Sequence, residues 1–462
     1  MGQQGMIRLP IRLIRMVMLG LALAFAAIQP ASAQSVLRDS ETELMFRDMS
    51  RPLIQAAGLD PANVKIVLIN DDEINAFVAG GQIVYIHSGL LTRADNANQL
   101  QGVIAHELGH VAGGHIIRIG EGAKVATGIT LLTLVLGAAA IAAGAPDAGM
   151  GIIMAGQRAA MGNFFAFTRA QESSSDLAGA SYLSKAGYSG KGSLDFFKKL
   201  QNQEYRLAIY AKDSYDRTHP LSSERIEALT QVYKKDPAWD KPTDPGLEAR
   251  FQRVKAKLIG FVNSKNAVTF YPESNQSVPA HYARAYAYHL GAYPDKALSE
   301  ADALLTAAPD DPFFLELKGQ ILLESGRPKD AIPVLRQAVA KAPDQPMIAV
   351  MLGHALIATE DNKNFAEAKQ VLKAAVNRDN DNPFAWMQLG VVYDREGDVP
   401  RAALATAERN NLEGKAKLAL ASAKMAMAGI PKGTPDFLRA QDIAMVSEAE
   451  LKKNKKGKKS SE

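Results

Sequence analysis

The spacing of hydrophobic positions changes several times along the chain, and each change marks a part. Behind Arg8, Arg12 and Arg15, Met16 to Ala27 is a short, unbroken apolar run. Val64-Lys65-Ile66-Val67-Leu68-Ile69 and Gln82-Ile83-Val84-Tyr85-Ile86 are rich in β-branched residues. Asn70-Asp71-Asp72 and Gly80-Gly81 punctuate them, which predicts two strands. From Asp95 to about Ile119, the residues Leu100, Val103, Ile104, Leu108 and Val111 recur at helical spacing. Val125 to Ala145 carries no charge and is long enough to span a bilayer. A second apolar run, Gly149 to Met161, follows the Pro146-Asp147 break. Together they predict a helical hairpin over 125–161, packed on its domain and facing or dipping into a membrane. A buried core hairpin and a true double span are the alternatives. Pro237, Pro242 and Pro245 interrupt 235–278, leaving Arg250 to Val262 as one amphipathic connecting helix.

Beyond 280 the pattern repeats. Ala297, Ala331, Ala368 and Ala402 are 34, 37 and 34 residues apart. Ala285, Gly319, Gly353 and Gly390 keep spacings of 34, 34 and 37, and Pro312, Pro346 and Pro383 follow at 34 and 37. Extra residues near Glu360–Lys363 account for the longer step. A 34-residue helix–turn–helix unit with a small residue in each helix is the tetratricopeptide period. Four repeats are expected from about 280 to 415. Ala416 to Ile430 is expected to cap the last apolar face.

Composition narrows the class. Of 462 residues, 47% are hydrophobic and 22% charged, which is the balance of a folded protein. The absence of cysteine excludes disulfides, thiolate metal sites and a cysteine nucleophile. The N-terminal arginines, the apolar run and Ala31-Ser32-Ala33 read as a secretory signal cut after Ala33. The net charge of +4 misleads, because the expected leader and the lysine-rich tail carry it; residues 34–451 sit near −4. A basic surface for nucleic acid is therefore not indicated. The Lys452–Lys459 run reads as a solvated tail.

The chemistry centres on His106-Glu107-Leu108-Gly109-His110. Residues four apart share one helix face, so His106 and His110 can aim both imidazoles at one metal ion. Glu107 stands beside them as a general base for metal-assisted hydrolysis. A catalytic site needs a third protein ligand. His115 is one position off the elongated motif, since Ile116 stands where that motif has its histidine, and it is read as a neighbour. Glu172 and Asp176 lie one turn apart at the expected start of a second helix, Thr168 to Asp176. Glu172 can complete a His-His-Glu set, and Asp176 can hold a ligating histidine by its other ring nitrogen. Taken alone, the pair would read equally as an acidic first turn favoured by the helix dipole. His87, His281, His289 and His354 carry no such pattern.

HELGH, the preceding Asn75-Ala76-Phe77 with Gly80-Gly81-Gln82-Ile83-Val84-Tyr85, the later Arg169-x-x-Glu172-x-x-x-Asp176 and His219-Pro220-x-x-x-x-Arg225 stand in one order. In that order they resemble the HtpX/CAAX-prenyl-protease-like zinc metallopeptidases over roughly 40–235. Ser175 departs from that family's usual alanine without shifting the register. The resemblance implies a mostly helical gluzincin holding one zinc ion per chain through His106, His110 and Glu172. It also implies that His219 lies close to the metal and that Arg225 lines the site. With the leader and the repeats, the chain resembles most the periplasmic members that act in outer-membrane protein quality control. The implied substrates are unfolded or misassembled envelope proteins. The implied partner on the repeat array is the outer-membrane assembly machinery.

The expected fold is therefore mainly α. A leader (1–33) precedes an α+β protease domain with a small sheet (34–235). A linker (236–279), an all-α tetratricopeptide solenoid with its cap (280–430) and a C-terminal segment (431–462) follow. Substrate is expected to add as a strand against Gln82–Ile86. For His219 two roles stay open: a latch on the fourth metal position, which is favoured, or an oxyanion stabiliser together with Arg225. The competing view of the whole chain is an assembly scaffold that works through its repeats while the protease site stays silent. Peripheral membrane contact through 125–161 is compatible with either.

Overall fold

The computed structural model describes residues 35–143, 145–207, 219 and 222–459. The expected leader and its cleavage after Ala33 lie outside them. Helix α1 (Ser40–Ala56) opens the domain, its first turn capped by Asp39, which accepts from the Thr42 amide. The sheet has four strands: β1 (Ser35–Leu37), β2 (Lys65–Asn70), β3 (Ala76–Ala79) and β4 (Ile83–His87). β4 pairs parallel with β2 and antiparallel with β3. Gly80 and Gly81, both at positive φ, turn β3 into β4. Both edges of β4 are thus taken, which overturns the expectation that Gln82–Ile86 is an open edge. The terminal strand on the site side is the short β3, which its sequence alone does not advertise.

Helices α2 (Ser88–Arg93), α3 (Ala97–Ala112), α4 (His115–Ala142), α5 (Pro146–Ala186), α6 (Lys191–Leu207) and α7 (Ser223–Tyr233) complete the domain. The periodic helix does not run on to Ile119. Gly113 and Gly114 break it, and Gly114 at φ 61 takes the left-handed conformation that glycine adopts without a Cβ penalty. Nor does a helix start at Thr168. With no proline between Asp147 and Ala186, the acidic pair falls inside α5, a helix of 41 residues ended by Gly187 at φ 71. A core of Met45, Leu53, Leu100, Ile104, Leu183 and Phe197 joins α1, α3, α5 and α6. The arms of the α4–α5 hairpin, by contrast, are largely exposed rather than packed on that core.

Beyond it lie α8 (Pro245–Val262), α9 (Ser264–Phe270) and five helix pairs. These are α10 (Val278–Leu290) with α11 (Pro294–Ala307), α12 (Pro312–Glu324) with α13 (Pro328–Lys341), α14 (Pro346–Ala358) with α15 (Phe365–Arg378), α16 (Pro383–Arg395) with α17 (Val399–Leu412), and α18 (Ala416–Gly429) with α19 (Pro435–Lys459). Small residues sit where helices meet: Gly319 against Leu335, Gly353 against Leu372, and Ala297, Ala331 and Ala368 fully buried. The longer step in the repeat is a 3-10 turn, Asn362–Asn364, behind Glu360 at φ 54. α19 packs Ala440 and Ile443 against α17 and α18, so the segment expected as a cap is the first arm of a pair.

A buried charge cluster ties the array to the protease domain. From α8, Arg253 pairs with Glu41 of α1 at 2.6 Å and with Asp311 of the repeats at 2.8 Å. Lys257 pairs with Asp39 at 2.5 Å, and the Tyr282 hydroxyl donates to Glu41 at 2.8 Å. Breaking such a buried pair from one side strands the remaining charge. Lys257→Met is expected to destabilise the protein by roughly 3–5 kcal/mol in urea unfolding. A loss below about 1 kcal/mol, the scale of exposed pairs, would show that the cluster does not hold the two parts together.

Candidate metal centre

Two helices and one loop residue build the site. α3 presents His106 and His110 from successive turns, with Glu107 beside them. α5 crosses α3 at backbone contact. A Cβ on Gly109 would stand 2.7 Å from the Ser175 carbonyl oxygen, and one on Gly179 3.0 Å from Ala105. Only glycine permits that approach, and it brings Glu172 level with both histidines. His219 enters from the segment ahead of α7.

Four donor atoms converge. His110 Nε2 lies 3.2 Å from His106 Nε2, and His106 Nε2 lies 3.3 Å from His219 Nδ1. Glu172 oxygens are 3.4 Å from His106 Nε2, 3.4 Å from His110 Nε2 and 3.1 Å from His219 Nδ1. A tetrahedron of nitrogen and oxygen donors about 2.0–2.1 Å from one ion has edges of roughly 3.3 Å. The cluster fits that figure, and its four residues are all buried. Glu107 is fully buried beside it, and neither carboxylate oxygen has a hydrogen-bond partner among the described residues. His219 Nε2 stands 3.5 Å from Glu107 Oε1. A carboxylate so placed suits a reacting water more than a structural role.

A second layer holds the donors. Asp176 Oδ1 is 3.0 Å from His106 Nδ1. Arg225 donates from Nε and a terminal nitrogen to the two Asp176 oxygens at 2.7 and 2.9 Å, and it reaches Glu172 at 3.2 Å. Arg225 therefore faces the site from behind the ligands. His115, a neighbour in the sequence reading, has a definite place: its Nδ1 is 3.1 Å from His110 Nδ1 and 3.1 Å from Ser175 Oγ. The ring folds back over Gly113, where a Cβ would stand 2.4 Å from it. Sequence reasoning passed over this contact, although Ser175 at the family's alanine position was the available signal. His219 Nε2 donates to the Ala76 carbonyl of β3 at 3.2 Å, and its Nδ1 faces Glu172 and His106.

Electrostatics follow from this packing. Burial opposes charge on His106, but the Asp176 and Glu172 carboxylates outweigh it and push His106 up to about 10. Burial works against the Glu172 carboxylate too, yet the histidines hold it far below the usual range. Burial lowers His110, and burial together with neighbouring His110 takes His115 down to about 4. A neutral His115 can accept the His110 Nδ1 proton.

Comparison with known proteins finds likenesses over these residues. Residues 40–233 match the model of peptidase family M48, and 316–371 and 352–410 match the tetratricopeptide repeat. A β-barrel assembly-enhancing protease of Yersinia pestis is 27% identical over 80% of this chain and 76% of its own length. Its counterpart in Escherichia coli K12 is 31% identical over 59% of this chain, which spans only 56% of that relative. The metalloprotease LoiP of Escherichia coli K12 is 30% identical over 37% of this chain and 62% of its own.

The raised His106 value has a measurable consequence. It stands above the unfolded value of 6.5, so its contribution to stability is complete below that pH and is lost as pH rises through about 10. Metal-free protein is expected to lose thermal stability across that window. Metal-loaded protein, with a cation in the proton's place, is expected to keep it. Calorimetry on chelated and reloaded samples tests this, and parallel profiles would remove His106 as the responsible group.

Proposed function

Since this chain is a metalloprotease carrying a peptidase family M48 domain ahead of tetratricopeptide repeats, we propose that it is a zinc-dependent endopeptidase of the periplasm. Its substrates would be unfolded or misassembled envelope proteins. The observation that carries the peptidase reading is Glu107, a buried carboxylate without a hydrogen-bond partner beside four converging donors. The periplasmic setting and the clients rest on the likeness to relatives named β-barrel assembly-enhancing proteases. The repeat array would dock a partner from the outer-membrane assembly machinery.

In this reading His106, His110 and Glu172 hold the ion. Zinc, when bound, supplies a Lewis acid that brings the acidity of a water into the neutral range. Glu107 takes the proton of the attacking water and passes it to the leaving amine. Asp176 keeps the His106 ring in the ligating tautomer, and His115 does the same for His110. Arg225 is a positioning residue that fixes the Asp176 and Glu172 carboxylates. An extended peptide would lie along β3, whose far edge is the terminal one of the sheet.

His219 is read as a latch. Its Nδ1 occupies the fourth corner of the donor cluster, where water would have to sit, and its Nε2 takes the Ala76 carbonyl at the peptide-binding edge. The same placement favours the second reading to one degree: while latched, the chain acts as a scaffold through its repeats. Release by a partner on the array would join the two activities.

Glu107→Gln separates chemistry from binding. It is expected to retain metal and fold while casein hydrolysis drops by at least about a hundredfold, the scale of a lost general base. Turnover near that of the unaltered protein would take Glu107 out of the mechanism.

His219→Ala distinguishes latch from stabiliser. As a latch its loss raises basal casein hydrolysis and self-cleavage. As an oxyanion donor its loss lowers turnover by about tenfold to a thousandfold. Unchanged activity would sink both roles.

A further inference from the structure

We propose that the hairpin made by α4 and the first half of α5 is a lipid-docking element that enters one leaflet of a bilayer. α4 is the one described helix long and apolar enough to cross a membrane, and almost none of its apolar stretch is buried. Leu131, Leu132, Leu134, Val135 and Leu136 are all exposed. Neighbouring residues on a helix point about 100° apart, so these side chains spread over roughly 200° of the helix surface, and the remaining face, with Thr133 and Gly137, meets α5. Met150, Met154, Met161 and Phe165 extend the exposed apolar surface along α5. A protein groove covers a narrow stripe of a helix; hydrocarbon covers the whole broad arc that α5 leaves open.

The interior of the hairpin suits the same medium. The arms meet through small residues. A Cβ on Gly156 would stand 2.0 Å from the Thr133 hydroxyl oxygen, and one on Gly137 2.7 Å from the Gly149 carbonyl oxygen. Helices that associate in lipid approach in this way, because there is no gain from hiding large apolar side chains between them. The hydroxyls are satisfied within the helix. Thr127 donates to the Ala123 carbonyl at 2.8 Å, Thr130 to Ala126 at 3.0 Å and Thr133 to Ile129 at 2.9 Å. None of these three needs water.

Charge sets the depth. Residues 125–146 contain none. Arg118, Glu121, Lys124 and Arg169 gather at the base, and Arg158 lies midway, level with Leu131 by the Gly156–Thr133 contact. From Leu131 to the end of α4 at Ala142 the rise is about 16 Å. That matches one leaflet, about half of a 30 Å hydrocarbon core. With the tip at that depth the long Arg158 side chain reaches up to the headgroups, joining Lys124 there. A full crossing would strand Arg158 at the mid-plane instead. Asp147 is the one charge near the tip. It lies in the first turn of α5, where backbone N–H groups lack helix partners and favour a carboxylate.

The test uses the protein from Gln34 onward, which holds the whole described fold, with vesicles of phosphatidylethanolamine and phosphatidylglycerol. It should float with the vesicles and stay bound in high salt. The double substitution Leu132→Asp and Val135→Asp should lower the bound-to-free ratio at least about tenfold, given the cost of charge in hydrocarbon. Casein hydrolysis should not change. Because the chain has no cysteine, Ala145→Cys places a unique thiol near the tip. That thiol should react with a water-soluble maleimide in free protein and resist it from either side of the vesicle. Failure to float, or equal flotation of the double variant, overturns lipid docking. Labelling by reagent sealed inside the vesicles overturns the one-leaflet depth in favour of a crossing. A lipid-free dimer that the double substitution dissociates would make a second copy the occupant, and would equally overturn the proposal.

Discussion

The closeness with which α5 crosses α3 governs the chemistry. A Cβ at 109 would meet the Ser175 backbone at 2.7 Å and force a shift, and one at 179 would make its neighbours give by a few tenths of an ångström. Such a shift would carry Glu172 and Asp176 away from the two histidines. The glycine inside the HELGH motif is thus part of the metal geometry, although it donates nothing. The crossing also determines solvent exposure. With the backbones in contact, the Glu172 and Asp176 carboxylates are met by Arg225 and the imidazoles in place of water.

The second layer is uneven, and the unevenness has a chemical meaning. His106 leans on a carboxylate, Asp176, itself gripped by the Arg225 fork. His110 leans on a neutral imidazole, His115. A carboxylate acceptor makes its histidine a stronger electron donor than a neutral acceptor does. A metal ion held by both rings would meet one firmer and one softer donor, and would keep more of its Lewis acidity than between two carboxylate-backed rings.

Local features were legible in the sequence, and long-range ones were not. His106, Glu107 and His110 lie within five residues on one helix, so spacing alone brings them together. The repeats were legible because their period recurs. Glu172 lies 62 residues from His110, and only family resemblance linked them. Spacing misled about α5, since an acidic pair inside a long helix looks the same as one at a helix start. It misled about the substrate edge because β3 is four residues long and weakly patterned, yet it covers β4. It made His115 a neighbour of the site without pointing to its partner Ser175, which comes from another helix.

The unbroken α5 also gives the domain a mechanical property. Its 41 residues form a stiff rod about 60 Å long, one end at the hairpin tip and the other near Gly187. It touches α3 at Ser175 and at Gly179. Glu172 lies three and seven residues from these points and Pro146 twenty-nine and thirty-three, so about either pivot the tip arm is roughly five to ten times the longer. A sideways load that shifts the tip by several ångströms is geared down to something under one ångström at the ligand. That is the range over which reacting groups fall out of alignment. The metal centre is thus joined through one continuous helix to whatever grips its far end.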